Sequence, residues 1–128
     1  MTNNFDISEI RKTVMGILKS LGVSKKIYPN RPKAAETSND FVVVNVDSIE
    51  DMAAYGECVV NISLFAKDID FVLNDAKLSL MYRKIAEGFP SSEGRLLFDT
   101  EPNVLGDTPD DYGYHARIIR IRTTIKSI

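Results

Sequence analysis

The chain carries one cysteine, one histidine and no tryptophan in 128 residues, and each shortage closes off a class of protein. A single thiol, Cys58, cannot make an internal disulfide, so the sequence is not that of a disulfide-stapled secreted scaffold, and a reducing compartment suits it. One histidine and one cysteine fall short of the about four nitrogen or sulfur ligands that a structural zinc site needs. Cys58 and His115 lie on separate expected strands with no third residue marked to orient them, so no nucleophilic triad is in view. Cys58 reads as a small core residue and His115 as a strand residue beside an acidic turn. The seven glycines are dispersed, and with neither a GxxxxGKS/T nor a GxGxxG run there is no phosphate-cradling loop. No apolar run approaches the roughly 20 residues that cross a bilayer. The opening MTNNFDISEI lacks the basic and then apolar order of a secretory signal, which points to a cytosolic site of synthesis.

What is present is the profile of one globular domain over residues 1–128, with 44% hydrophobic and 27% charged residues, long enough to build a core unaided. The net charge of -2 hides a division. Residues 1–33 carry +5, residues 34–113 carry -11 and residues 114–128 carry +4. An acidic total gives no support to a general nucleic-acid binder. The basic stripe of Arg117, Arg120, Arg122 and Lys126 also lacks the interleaved aromatics that stack bases, so no direct nucleic-acid contact is expected. Basic ends and an acidic middle suit either pairing on one solvated surface or faces that meet across subunits.

The spacing of Ile7, Ile10, Val14, Ile17, Leu18 and Leu21 predicts an amphipathic helix over 7–21. Asp6 with Glu9 can form a capping box at its start, and Lys19 and Gly22 mark its end. A short strand over 23–28 is stopped by Pro29 and Pro32. The β-branched stretch 41–47 and the alternating stretch 57–66 read as strands of a hairpin, with residues 48–56 as a loop or hairpin tip. Asp68 and Asp70 are candidate caps of a second helix over about 70–88, with Phe71, Leu78, Met81, Tyr82, Ile85 and Phe89 near one face. Residues 91–94 read as a turn, 95–100 as a strand, and 101–113 as an acidic turn region. A last strand from Tyr114 places Ile119, Ile121, Thr123 and Ile125 on one face and Arg120, Arg122, Thr124 and Lys126 on the other.

The resulting order, α-β-β-β-α-β-β, is that of an α+β fold, most simply an antiparallel sheet with both helices on one face. Phe41, Val43, Val59 and Phe65 then require that part of the second face also be covered, by loops or by another subunit. Asp99, Glu101, Asp107, Asp110 and Asp111 are oxygen ligands of the kind a hard cation takes, but their spacing is not that of an EF-hand and solvated turn carboxylates explain them more simply. Read from residues alone, this is an α+β domain without visible catalytic equipment and with no cofactor expected.

The order and spacing of these pieces resemble a known family. Helix 7–21, the strand ending in Ile27-Tyr28-Pro29 with Arg31 and Pro32, the paired strands 41–47 and 57–66, helix 70–88 and the final strand from Tyr114-His115 resemble the tail completion or tail terminator proteins of long-tailed bacteriophages and prophages. The resemblance covers nearly the whole chain, although residues 95–113 are longer than the connection it implies. It implies a non-enzymatic virion protein whose small α+β subunit forms a ring, in the family hexameric, that caps the tail tube and joins tail to head. The implied partners are further copies of itself, tail-tube subunits and neck or head-completion proteins, with assembly in the host cytoplasm and residence in the virion tail. A small accessory or binding domain of a bacterial protein complex is the alternative. In a ring, Arg117, Arg120, Arg122 and Lys126 would face Asp99, Asp110 or Asp111 of a neighbour. The exposed loops 31–40 and 48–56, the latter with Glu50, Asp51, Met52 and Tyr55, are the candidates for touching the tube.

Overall fold

The computed structural model describes residues 5–30, 38–99 and 103–127. The first helix, α1 (Ile7–Leu21), has the ends its sequence calls for. Asp6 is its N-cap and accepts from the Ser8 N–H at 2.8 Å. At the other end Gly22 takes φ 68°, and the N–H groups of Gly22 and Val23 donate to Lys19 and Leu18, the double closure that only a left-handed residue permits without strain. Glu9, the second half of the expected capping box, is paired with Arg95, its carboxylate 2.9 Å from the guanidinium. That contact ties the start of α1 to a turn 86 residues away.

The eight strands are β1 (Ile27–Tyr28), β2 (Asp40–Val46), β3 (Glu50–Asp51), β4 (Tyr55–Lys67), β5 (Ser91–Glu93), β6 (Leu96–Phe98), β7 (Asn103–Pro109) and β8 (Tyr114–Lys126). They form one sheet in the order β1-β2-β4-β8-β6-β5, with β3 added on β4 and β7 on β8. The class is α+β, as the pattern indicates, but the sheet is mixed: β1 runs parallel to β2 and the other pairs are antiparallel. Strand β1 is shorter than the expected 23–28 because Val23 is spent closing α1 and is buried in the core. The order along the chain is α-β-β-β-β-α-β-β-β-β. Residues 91–93 and 103–109, expected as turns, are strands. Strand β7 is exposed throughout and has no apolar alternation; pairing along β8 holds it in place. A register shift between Val104 and Asp107 absorbs an extra residue there.

Helix α2 (Asp75–Gly88) begins five residues later than the periodicity indicates. Asn74 caps it, accepting from the Lys77 N–H at 3.2 Å. The preceding residues form a tight hairpin turn in which Ile69 and Val72 exchange both backbone hydrogen bonds at 2.9 Å. Its two central residues, Asp70 and Phe71, have φ of 51° and 66°. Asp68 and Asp70 therefore do not cap α2, and Phe71 lies off its face, fully exposed.

Both helices pack on one face of the sheet, as expected. Ile10, Val14 and Leu18 from α1 and Leu78, Met81 and Ile85 from α2 meet the inward side chains of β2, β4 and β8 in the main core. The opposite face is also covered at one end, as Phe41 and Phe65 require. There Phe41, Val43, Phe65, Tyr114 and Ala116 make a second buried cluster under Tyr28. Phe41 stacks on Phe65 with ring centres 4.5 Å apart and meets Tyr114 edge-on, and the Tyr114 hydroxyl donates to the Ser38 carbonyl at 2.7 Å.

Candidate functional site: an open sheet face and a buried-arginine bracket

Strand alternation along β8 sorts the basic residues into two groups. Arg120 and Arg122 share the second face of the sheet, beyond the aromatic cluster. Register places Arg120 opposite Asn61, which lies opposite Asn45, so a polar row crosses three strands. Arg122 lies opposite Val59. Two shallow hollows flank it: one of about 510 Å³ bordered by Asp47, Glu50 and Glu57, and one of about 310 Å³ bordered by Asp99 and Thr124. No ion pair joins Arg120 or Arg122 to a carboxylate among the described residues. Lys126 ends the same face and is exposed.

Arg117, grouped with that stripe in the sequence, is two residues from Ile119 and so points to the helix side. Its guanidinium grips Asp107 of β7 at 2.6 and 2.9 Å, and it donates to Asp75 at 2.8 Å and Ser79 at 3.1 Å on α2. The side chain is only 13% exposed, so the bracket fastens the β7–β8 hairpin to the start of α2. Beside it, His115 Nδ1 lies 2.6 Å from Asp68 Oδ1. The hydrogen bonds from Arg117 hold the Asp107 carboxyl below the usual carboxylate range, with its positive charge acting in the same direction. Asp107 thus contributes stability that is present above the unfolded pKa of about 4 and is lost as pH falls through its lower folded value. Arg117→Met, which keeps the apolar stem, is expected to cost about 1–2 kcal/mol near neutral pH. The deficit should shrink below pH 4, and urea midpoints at pH 7 and pH 3 check both expectations.

The remaining expected contact residues lie elsewhere. Asp110 is occupied in its own turn, accepting from the N–H groups of Tyr112 and Tyr114 at 2.8 and 3.2 Å, and Asp111 is exposed beside it. Asp99 sits next to Arg122 of its own chain, its N–H donating to the Arg122 carbonyl at 2.9 Å. Glu50, Asp51, Met52 and Tyr55 build the β3–β4 hairpin tip, which closes through a bond from the Met52 N–H to the Tyr55 carbonyl at 2.8 Å. Asp51 Oδ1 accepts from Ala53 N–H, which lets Ala53 adopt φ 73°. Met52 stands 41% exposed on the tip. Residues 31–37 of the other expected tube loop, and Glu101, lie outside the described residues.

The reactive side chains are not brought together. His115 pairs with Ala66 and Cys58 with Thr123, a separation of eight rungs or about 26 Å along the ladder. Burial, assisted by Asp47, pushes the Cys58 thiol up to about 11, so it holds its proton near neutral pH. Among the described residues no group of three or more histidine, cysteine, aspartate or glutamate side chains is placed to hold a metal ion.

No protein-family model and no curated protein matches the chain. Its fold does have a solved counterpart. The chain is similar to one from the virion of a native gene transfer agent particle. The likeness has a TM-score of 0.57 at 10% sequence identity and covers 93% of this chain and 91% of that one. What the two share is therefore the fold over nearly the full length of both.

Proposed function

We propose that this protein is a structural component of a phage or prophage virion, a tail terminator that closes the tail tube as a ring and offers the surface on which the head docks. The observation that carries the reading is the end-to-end likeness of fold to a chain of the gene transfer agent virion, with 93% and 91% of the two chains superposed. The order of elements in the sequence, which resembles that of tail terminator proteins, supports the finer part of the reading. In this reading the protein is not an enzyme; its work is to present surfaces. It assembles in the host cytoplasm and stays in the virion tail.

A closed ring uses heterologous junctions, in which each subunit shows a different surface to either neighbour. Arg120 and Arg122 on the open face, joined to no carboxylate by an ion pair among the described residues, are the cationic side of that junction. The Met52 tip is the part that reaches the tube. Light scattering across a concentration series, with negative-stain imaging of any large species, is the direct test. A ring of roughly six subunits is expected. A monomer or dimer at every concentration, with no capping of assembled tail tubes, would instead favour an accessory domain of another complex.

Charge reversal probes the junction itself. The double variant Arg120→Glu/Arg122→Glu should remain folded, because both side chains lie on the open face, yet lose the ring. Unchanged assembly by light scattering, with an unchanged circular dichroism spectrum, removes the open face from the junction.

A further inference from the structure

The turn before α2 breaks a local rule. A two-residue hairpin turn with positive φ at both centres is the arrangement that Asp-Gly and Asn-Gly fill without strain. Here Asp70 obeys and position 71 is phenylalanine, at φ 66° with its ring wholly in solvent. An L-residue with a bulky side chain is disfavoured in that region, and the exposed ring gains no burial among the described residues in return. Ile69 and Val72 on either side are 60% and 63% exposed. The result is an exposed apolar knob where β4 passes into α2.

A complementary hollow lies elsewhere. Between the outer side of α1 and β1 is a cleft of about 700 Å³ lined by Met15, Gly16, Ile27, Lys19 and Lys25. That is within the about 300–1,000 Å³ of pockets that enclose a sizeable apolar group. Gly16 is part of its lining, and a Cβ built there meets nothing within 4 Å. A glycine inside an exposed helix weakens the helix relative to alanine, so the open space comes at the expense of helix stability. The charges match as well. Lys19 and Lys25 rim the hollow, while Asp70 stands exposed in the turn itself; its neighbours Asp68 and Asp75 are already engaged by His115 and Arg117. These are the basic first segment and the acidic middle of the sequence, seen as surfaces.

We propose that the Phe71 turn of one copy seats in the Met15–Ile27 hollow of the next copy, with Asp70 against Lys19 and Lys25. This rests on the ring reading, because a knob and a hollow on different surfaces make a head-to-tail junction. Both halves sacrifice local stability, at a strained turn and at a mid-helix glycine, for a shape that is useful only between molecules.

The test measures association and monomer stability together. Phe71→Gly should raise the thermal midpoint of the monomer by about 3–8 °C, since glycine fits the turn, while reducing self-association at least tenfold. Gly16→Trp should fold normally and block association by filling the hollow. Asp70→Lys should weaken association, and adding Lys25→Glu should restore it. Wild-type association that persists in Phe71→Gly and Gly16→Trp but is lost in Arg120→Glu/Arg122→Glu overturns the knob and keeps the ring. A wild-type protein that stays monomeric up to millimolar concentration and fails to cap assembled tail tubes overturns both.

Discussion

Truncation of Phe41 to alanine is expected to cost about 3–5 kcal/mol of folding free energy and to lower the thermal midpoint by about 10–20 °C. The ring is fully buried on the face of the sheet away from both helices. It stacks on Phe65, meets Tyr114 edge-on at 5.2 Å and meets Tyr28 edge-on at 6.0 Å. Removing it takes the hub from a cluster with five buried members among the described residues, so few of these remain to collapse into the space. The same contacts position Tyr114, whose hydroxyl anchors Ser38, so the loss should extend to the β1–β2 edge. Without tryptophan in the chain, urea unfolding followed by far-ultraviolet circular dichroism is the suitable measurement. A cost below about 1 kcal/mol would mean that the second cluster adds no more than an ordinary surface contact.

Gly56→Val is expected to be the next most damaging change, at about 1–3 kcal/mol. A Cβ at Gly56 falls 2.7 Å from Ile49 Cγ2, 3.0 Å from Ile125 Cγ2 and 3.1 Å from Phe5 Cδ2. The branched carbons of Ile49, just before β3, and of Ile125 on β8 have little room to withdraw, so Ile49 must move and take Glu50 and Asp51 of β3 with it. Hydrogen exchange should therefore show faster amide exchange over residues 47–56, with α2 unchanged. If the Met52 tip touches the tail tube, the variant should also lose capping out of proportion to its loss of stability.

Some of this was legible in the sequence and some was not, and the divide follows where the determining interactions lie. The ends of α1 were readable because a cap acts within a few residues: Asp6 and Gly22 carry their geometry with them. Strands β4 and β8 were readable from alternation and β2 from its run of β-branched residues, buried on both faces, and so was the need for a second covered face. The start of α2 misled because Phe71 lies seven residues before Leu78 and so fits a helical stripe, and nothing local announces a phenylalanine at positive φ. Strand β7 was invisible because Asn103, Gly106, Asp107 and Pro109 are turn formers, and only the long edge of β8 makes them extend. Among the contact candidates, Arg117 shares its parity with Ile119 and could have been assigned to the helix side. Its partners Asp107 and Asp75, at sequence distances of 10 and 42 residues, could not. The pairing of the Phe71 knob with a basic hollow was no more visible, since each half makes sense only once both surfaces exist.

Strand β8 has a consequence for how the molecule comes into being. It follows every other described strand in the chain, yet it lies between β4 and β6 in the middle of the sheet, with β7 alongside as well. A ribosome synthesises the helices and both halves of the apolar core before the strand that joins them. Until β8 emerges, β4 presents a bare edge along residues 55–67, the kind of edge that recruits strands from other chains. Closure of the sheet must therefore wait until β8 itself has been made, and long-range pairing of this kind is slow. A cell producing many copies at once would then make chaperone supply, more than the stability of the finished subunit, the limit on yield.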